Sequence, residues 1–415
     1  MSRVVAIILH AVPEPNAGPL ERAFAEDRRR NADRQARGFA ALGATVEVIE
    51  MRRDDPTFGE RLRGLARDHG LARTNDGAGL VVMGSGSIPL ARQPDRAIFV
   101  AAAGGSVGAA KGSVAAAGGS VAASGGSVAA AGGSVGAAGG SVAAAGGSVA
   151  AAARVVAGRS ATGNPLALLA NNRFSADILA IPAGIDLAGL PDLAADNAVP
   201  RWAVDQGIEV RDLRDRWRLQ VDLDSPLDVV LVGSKADRPA TSDDQKTGDR
   251  VDSVLERARA VAADPAREFL VAGRTSSTTL RWVERNTASR TRVLIEERGM
   301  KTALPGQRPT RSALGLLLDR NGPGALGTVI EQLADAAAVD SRVLMAHHFG
   351  RAESAWPEAE DRFASDLLLP DHIRDPWLRA LTASAARARV PILLGGHTLV
   401  GPGLRLALGP RRLHP

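Results

Sequence analysis

The segment VDLDSPLD, Val221 to Asp228, places three carboxylates close together, Asp222, Asp224 and Asp228, behind a short apolar run and around Ser225-Pro226, a common helix start. Carboxylates where a strand hands over to a helix lie at the edge of an α/β sheet where ligands bind. Their hard oxygens suit Mg²⁺ held together with a phosphate, which makes the three of them candidate metal ligands. A structural alternative stands beside this one: Asp224 or Ser225 caps the helix that follows.

A phosphate ligand also needs donors. Near the start, HAVPEPNAGPLERAFAEDRRRN offers Gly18 and the arginines Arg22, Arg28 and Arg30. Helical arginines beside Glu21, Glu26 and Asp27 more often form solvated i,i+4 pairs. The loop Gly84-Ser85-Gly86-Ser87 follows an apolar run and offers amides to a phosphate or sugar, with Ser85 and Ser87 as candidate contacts. Further on, Gly273-Arg274-Thr275-Ser276 joins a strand pattern to a helix pattern, which describes either an anion site built on Arg274, Thr275 and Ser276 or a well-capped helix. His397, in GGHTLVGPG, is a candidate acid or base, or a loop-stabilising donor. His347 and His348 precede Glu353, Glu358, Glu360, Asp361 and Asp366, without the H-E-x-x-H or H-x-H spacing of a zinc site. EDRFASD reads equally as a charged helix face.

Alternating strand and helix patterns position these residues. Strands are expected at Val4 to Leu9, Thr45 to Glu50, Gly79 to Met83, Leu166 to Leu169, Ala176 to Ile181, Glu209 to Val210 and Leu219 to Val221. Helices are expected at Leu20 to Leu42, Phe58 to Asp68, from Asp95, and at Asn197 to Gln206. This predicts a mainly parallel sheet covered on both faces, in a domain spanning 1–233. The polar segment 234–250 reads as a linker. A second α/β domain, 251–415, is expected to hold strands at Glu268 to Ala272, Arg292 to Glu296, Arg342 to Ala346 and Pro391 to Leu394. Its expected helices are Val251 to Ala262, Ser312 to Leu318, Ala325 to Leu333 and Pro376 to Arg387. Residues 101–153 interrupt the first domain with a tandem AAAGGSV repeat of seven-residue period. Paired glycines and a single valine per unit argue for an expanded surface loop rather than a coiled coil.

At 415 residues the chain is long enough for two cores. Its 45% hydrophobic and 23% charged residues fit a soluble, cytoplasmic globular protein with no stretch apolar enough to span a bilayer. The 51 basic residues exceed the 46 acidic ones only slightly, and aromatic residues for base stacking are scarce, so no nucleic-acid partner is expected. The lack of cysteine excludes disulfides, thiolate metal sites and a cysteine nucleophile.

VDLDSPLD resembles the D-[IV]-D-[ST]-P-x-D segment near the end of nucleotidyltransferases of the molybdopterin guanylyltransferase and 2-phospho-lactate guanylyltransferase type. DNAVPRWAVDQGIEVRDL, before it, is similar in character to the family's helix and short strand leading into that motif. LALLANNRFSADILAIP resembles the stretch where those enzymes recognise a ligand and return a central strand. The resemblance spans 1–233 without the repeat. It implies a sheet of nucleotide-diphospho-sugar-transferase type and transfer of a nucleotidyl group from a nucleoside triphosphate to a phosphorylated or polar acceptor. Asp222 and Asp224 would then hold Mg²⁺, Asn171, Asn172 and Arg173 would orient base or acceptor, and Arg28 or Arg30 would neutralise the triphosphate. Two departures stand out. The family's glycine-rich loop after the first strand is absent, and Ser87-Ile88-Pro89 occupies the place of its Asp-x-Pro. They favour the alternative of a non-catalytic binder of a nucleotide or sugar phosphate.

Overall fold

The computed structural model describes residues 3–73, 76–105, 166–193, 196–233, 242–297 and 309–409. The first lobe contains β1 (Val4–Ala11), α1 (Pro19–Ala40), β2 (Thr45–Met51), α2 (Phe58–Asp68), β3 (Gly79–Gly84), α3 (Gln93–Ala103), β4 (Ala167–Ala170), β5 (Ile178–Ile181), α4 (Val199–Asp205), β6 (Glu209–Asp212) and α5 (Pro226–Val232). The second contains α6 (Ser242–Ala262), β7 (Glu268–Gly273), α7 (Ser277–Asn286), β8 (Arg290–Ile295), α8 (Ala313–Asn321), α9 (Leu326–Leu333) and β9 (Ala336–Asp340). It continues with α10 (Ser341–His348), α11 (Ala359–Asp366), α12 (Pro376–Arg387), β10 (Ile392–Gly395), α13 (His397–Val400) and α14 (Leu404–Leu408).

The result is a two-domain α/β architecture. The first sheet has the order β2-β1-β3-β5-β4-β6, with β5 antiparallel to both its neighbours and the rest mutually parallel. β1 is buried from Val4 to His10, as a strand must be when it pairs on both sides under helices on both faces. Its alternate residues feed two cores: Val5 and Ile7 pack with Leu62, Leu80 and Leu168 on one face, while Ala6 and Ile8 pack with Phe39, Val81 and Phe99 on the other. Because β5 runs backwards, its start shares an edge with the ends of β3 and β4. Asp177, just before β5, therefore arrives beside Gly84 and Asn171: its carbonyl accepts from Gly84 N at 3.4 Å and its amide donates to Asn171 Oδ1 at 2.9 Å.

The second sheet is wholly parallel, in the order β10-β9-β7-β8, with cores around Leu270, Leu344 and Leu394 on one face and Phe269, Leu393 and Leu399 on the other. Among the described residues no helix is long and apolar enough to cross a membrane.

The lobes meet where α1 begins. Pro19 starts that helix, but Gly18 before it has no side chain to cap it. Glu360, at the start of α11, does so instead, accepting from Leu20 N at 3.1 Å and Glu21 N at 3.0 Å. Glu21 returns the bond, accepting from Glu360 N at 3.2 Å. A side chain at position 18 would put its Cβ 2.1 Å from Glu360 Cδ, so this approach requires glycine. Behind the caps, Phe24, Leu223 and Phe363 form a small core shared by the lobes, with the phenylalanine rings edge-on at 5.0 Å.

Four expectations change. Leu219 to Val221 is not a strand: Trp217–Gln220 is a single 3₁₀ turn, after which Asp222 makes one antiparallel bridge to Ser87. Arg342 to Ala346 is helix rather than strand, because Asp340 accepts from Arg342 N at 3.1 Å and starts α10 there. The strand is the preceding AAAVD, whose alanines fit the closely covered centre of the sheet. The segment read as a linker contains the start of α6 at Ser242, while 234–241 lies outside the described residues. Of the repeat, Ala101 to Ala103 close α3, and the expectation for 106–153 likewise falls outside the described residues.

Candidate functional site

The strand ends of the first sheet gather a set of polar groups built outward from β1. His10 is buried and its Nδ1 lies 3.2 Å from Ser85 Oγ. Burial, reinforced by Arg29 and Arg28, lowers its pKa and favours the neutral ring. The loop after β3 is locked from above by α1: Asn31 Nδ2 donates to the carbonyls of Ser85 (2.8 Å) and Ser87 (3.0 Å), and Gln35 Nε2 to that of Ile88 (3.0 Å). From below, the amides of Gly84, Ser85 and Ser87 donate to the carbonyls of Asp177, Leu9 and Gly84. The Ser87 hydroxyl donates to the Asp177 carbonyl at 2.8 Å. Ser85 and Ser87 are thus buried and bonded within the protein. Of the backbone amides expected to meet a phosphate, those of Gly84, Ser85 and Ser87 already have internal acceptors.

The carboxylates stand next to this loop. Leu223 N donates to Gly86 O at 3.1 Å, fixing Asp222 and Asp224 on either side of that bond. Gly86 lies between Arg28 and Asp222: a Cβ there would be 2.7 Å from Leu223 O and 3.1 Å from both Arg28 Nε and Asp222 Oδ1. Both Arg28 Nε and Asp222 Oδ1 are buried without a hydrogen-bond partner. Burial pushes the Asp222 carboxyl up to about 8, with repulsion from Asp224 adding and Arg28 opposing. Asp177 also titrates well above the ordinary carboxylate range, first through burial and then through Asp222, although Asn171 Nδ2 donates to its Oδ2 at 2.8 Å. Arg28 thus meets Asp222 across Gly86 at the strand ends, and Asp224 and Asp196 act on the charge of both Asp222 and Asp177.

Asp228 sits apart. Its Oδ2 accepts from Asp224 N and from Ser225 Oγ, both at 3.0 Å, so neither Asp224 nor Ser225 caps α5 through its side chain. Burial, then Asp224 and Asp366, raise its pKa well above the ordinary value.

The other expected residues scatter. Asn171 holds the start of β5, accepting from Asp177 N and Ile178 N and donating to Leu219 O at 2.8 Å. Asn172 accepts from Phe174 N at 3.0 Å. Arg173 and Arg214 lie 5.4 and 5.1 Å from the Phe174 ring, which is 62% exposed. Arg30 is exposed and paired with Asp27 and Glu26, as solvated helix pairs are. In the second lobe, Arg274 grips Asp340 with two bonds, Nε to Oδ2 at 2.6 Å and Nη2 to Oδ1 at 3.2 Å. Burial works against it, yet Arg274 holds the Asp340 carboxyl below its ordinary value. Ser276 caps α7 by accepting from Thr279 N at 3.2 Å, and Thr275 Oγ1 is buried without a partner. His397 begins α13, close enough to Asp340 to act on its charge. Arg274 is thus matched by Asp340, and the helix beside it is capped by Ser276.

Nor do the histidines converge with the acidic run. His347 accepts from Ser312 N at 3.0 Å and meets Asp319 at 2.9 Å, and His348 stacks on Trp377 at 4.6 Å. Asp361 and Asp366 of α11 are buried, so EDRFASD is not merely a solvated face. Among the described residues no three His, Asp or Glu side chains form a group able to hold a metal by themselves.

Asp177, His10 and Asn31 were not singled out from sequence. Asp177 carried a faint signal, being an acid immediately before the run ILAIP in a segment already suspected of binding. Compared with known proteins, the chain matches no family model, no curated protein and no solved structure.

Proposed function

We propose that the first lobe binds a nucleoside triphosphate with Mg²⁺ and transfers its nucleotidyl group to a phosphorylated or polar small-molecule acceptor. The observation that carries this reading is the meeting of Asp222 and Arg28 across Gly86 at the strand ends, with Asp224 near enough to act on both Asp222 and Asp177. The donor set fits the ion. Mg²⁺ takes one or two carboxylates and completes its shell with water and phosphate, so it needs no all-protein cage. The buried, unpartnered Asp222 Oδ1 is the oxygen best placed to gain from a cation. When bound, Mg²⁺ would supply charge neutralisation at the triphosphate. Arg28 would share that task from the opposite side of Gly86. Acceptor oxygen would attack the α-phosphorus in line, forming the new P–O bond as the bond to the β-phosphate oxygen breaks and pyrophosphate leaves. The mixed sheet with its single reversed strand supports the nucleotide-diphospho-sugar-transferase type, which the resemblance of VDLDSPLD also implies.

A second reading rests on a specific observation. The 84–87 loop lacks a free amide cradle, which favours a protein that binds a nucleotide or nucleotide sugar without transferring it. Thermal unfolding with each nucleoside triphosphate, with and without Mg²⁺, tests both. A ligand at 100 times its Kd adds about 2.7 kcal/mol. A Mg²⁺-dependent gain from one triphosphate, with pyrophosphate release on adding acceptors, is expected of the transferase. A gain without release selects the binder, and no gain from any triphosphate removes the transferase and leaves the binder to the same measurement with nucleotide sugars and sugar phosphates.

A further inference from the structure

The charged groups of the first lobe are held by the second. Phe363 of α11 packs against Phe24, one turn before Arg28 on α1, and the Arg28 guanidinium lies 5.9 Å from the Phe24 ring. The same Phe363 joins a core with Leu223, the residue between Asp222 and Asp224. Thr398 of α13 donates its hydroxyl to the Asp222 carbonyl at 3.1 Å. Glu360 fixes the first turn of α1. Arg28 and the Asp222–Asp224 segment thus each rest on side chains from the other lobe.

The strut itself is anchored firmly in the second lobe. At its far end Asp366 pairs with buried Arg342, Nη2 to Oδ2 at 2.6 Å. Asp361 accepts from Arg374 N at 3.0 Å and Asp375 N at 2.8 Å, tying α11 to the start of α12. A helix fixed at both ends to one lobe, carrying a ring and a carboxylate into the other, sets a position rather than merely filling space.

We propose that Phe363, Glu360 and Thr398 are positioning residues by which the second lobe sets the approach of Arg28 to Asp222 and Asp224, so that the first-lobe site is complete only in the two-lobe chain. The positioning stands on contacts alone; its consequence for cation affinity rests on the function proposed above. The experiment uses the full chain carrying Phe363→Ala, the milder Phe363→Leu, the near-isosteric Thr398→Val, and Thr398→Ser as the conservative rescue. Two readouts are taken: the Nε–H resonance of Arg28 in metal-free protein, and Mn²⁺ affinity from water-proton relaxation. Amide signals of β1 to β3 report folding. Losing a group that orients a metal ligand lowers affinity by about tenfold or more.

The expected result is a displaced Arg28 resonance in both Phe363 variants, Mn²⁺ affinity reduced about tenfold in Phe363→Ala and Thr398→Val, and wild-type behaviour in Thr398→Ser. A displaced resonance with no Mn²⁺ binding by any form, wild type included, supports the positioning and rejects the metal reading of the site. An unmoved Arg28 resonance in folded Phe363→Ala and Phe363→Leu overturns the proposal, whatever Mn²⁺ does. Should Phe363→Ala not fold, Phe363→Leu and the Thr398 pair decide alone.

Discussion

Replacing Asp222 by Asn should stabilise the protein at neutral pH and leave it unchanged in acid. The Asp222 carboxyl titrates at about 8 when folded, against an ordinary 3.8. Between those values the folded protein holds a proton that the unfolded chain has released, so unfolding is increasingly favoured as pH rises. At pH 7 the gap is about three pK units, and at 1.36 kcal/mol per unit Asp222 costs about 4 kcal/mol, fading to near zero at pH 4. Asparagine copies the protonated carboxyl in shape and carries no such penalty. Urea unfolding of both proteins from pH 4 to 8 measures it: the difference should grow with pH in favour of Asp222→Asn and level off above pH 8. Saturating Mg²⁺ should reverse the ranking on the proposed reading, since only the wild type can exchange that proton for the cation. A stability difference independent of pH, or one favouring the wild type more at pH 8 than at pH 4 without metal, would refute the assignment of Asp222 as a carboxyl kept neutral by burial.

Two further outcomes concern the lobe junction and the anchoring of the helix that reaches it. Gly18→Ala should lower stability by roughly 1–2 kcal/mol, the range of a lost helix cap, because its Cβ displaces the Glu360 carboxylate from Leu20 N and Glu21 N. Urea unfolding reads it, and combination with Glu360→Ala should add little if the displaced cap is the cause. Removing one partner of the buried Arg342–Asp366 pair, as in Asp366→Leu, should cost about 3–5 kcal/mol, whereas Arg342→Met with Asp366→Leu should recover much of that loss. A double-mutant cycle by denaturant unfolding decides it, and additive single effects would show that the two charges do not depend on each other.

Local signals made much of the fold legible. The apolar run from Val4, the long pattern after Pro19 and the strand-helix alternation that follows are properties of short windows, and they read as they fold. β9 was missed because Ala336 to Ala338 are weakly apolar, while the stronger run VLMA beyond them is buried as helix. The site was legible only where it is contiguous. Asp222 and Asp224 announce themselves in one motif. Asp177 meets them only because β5 is inserted backwards between β3 and β4, which no periodicity reveals. Arg274 looked free because Asp340, which neutralises it, lies 66 residues further along the chain. Glu360 could not be matched to its helix from sequence, being 340 residues from Leu20.

Ser87 is the position where sequence and structure bear on each other most directly. Taken alone, a serine where the resembled family carries an aspartate reads as a lost metal ligand. In the fold, its hydroxyl holds the carbonyl of Asp177, and its backbone bridges Asp222. Burial already pushes both of those carboxyls up, with repulsion from Asp222 adding at Asp177 and from Asp224 at Asp222. A third carboxylate at position 87 would face the same burial with only Arg28 to offset it, and it would lose the hydroxyl that pins the start of β5. On the proposed reading the carboxyl group missing from the end of β3 is supplied by Asp177, just before the reversed strand beside it, and serine is the residue that lets Asp177 stand there.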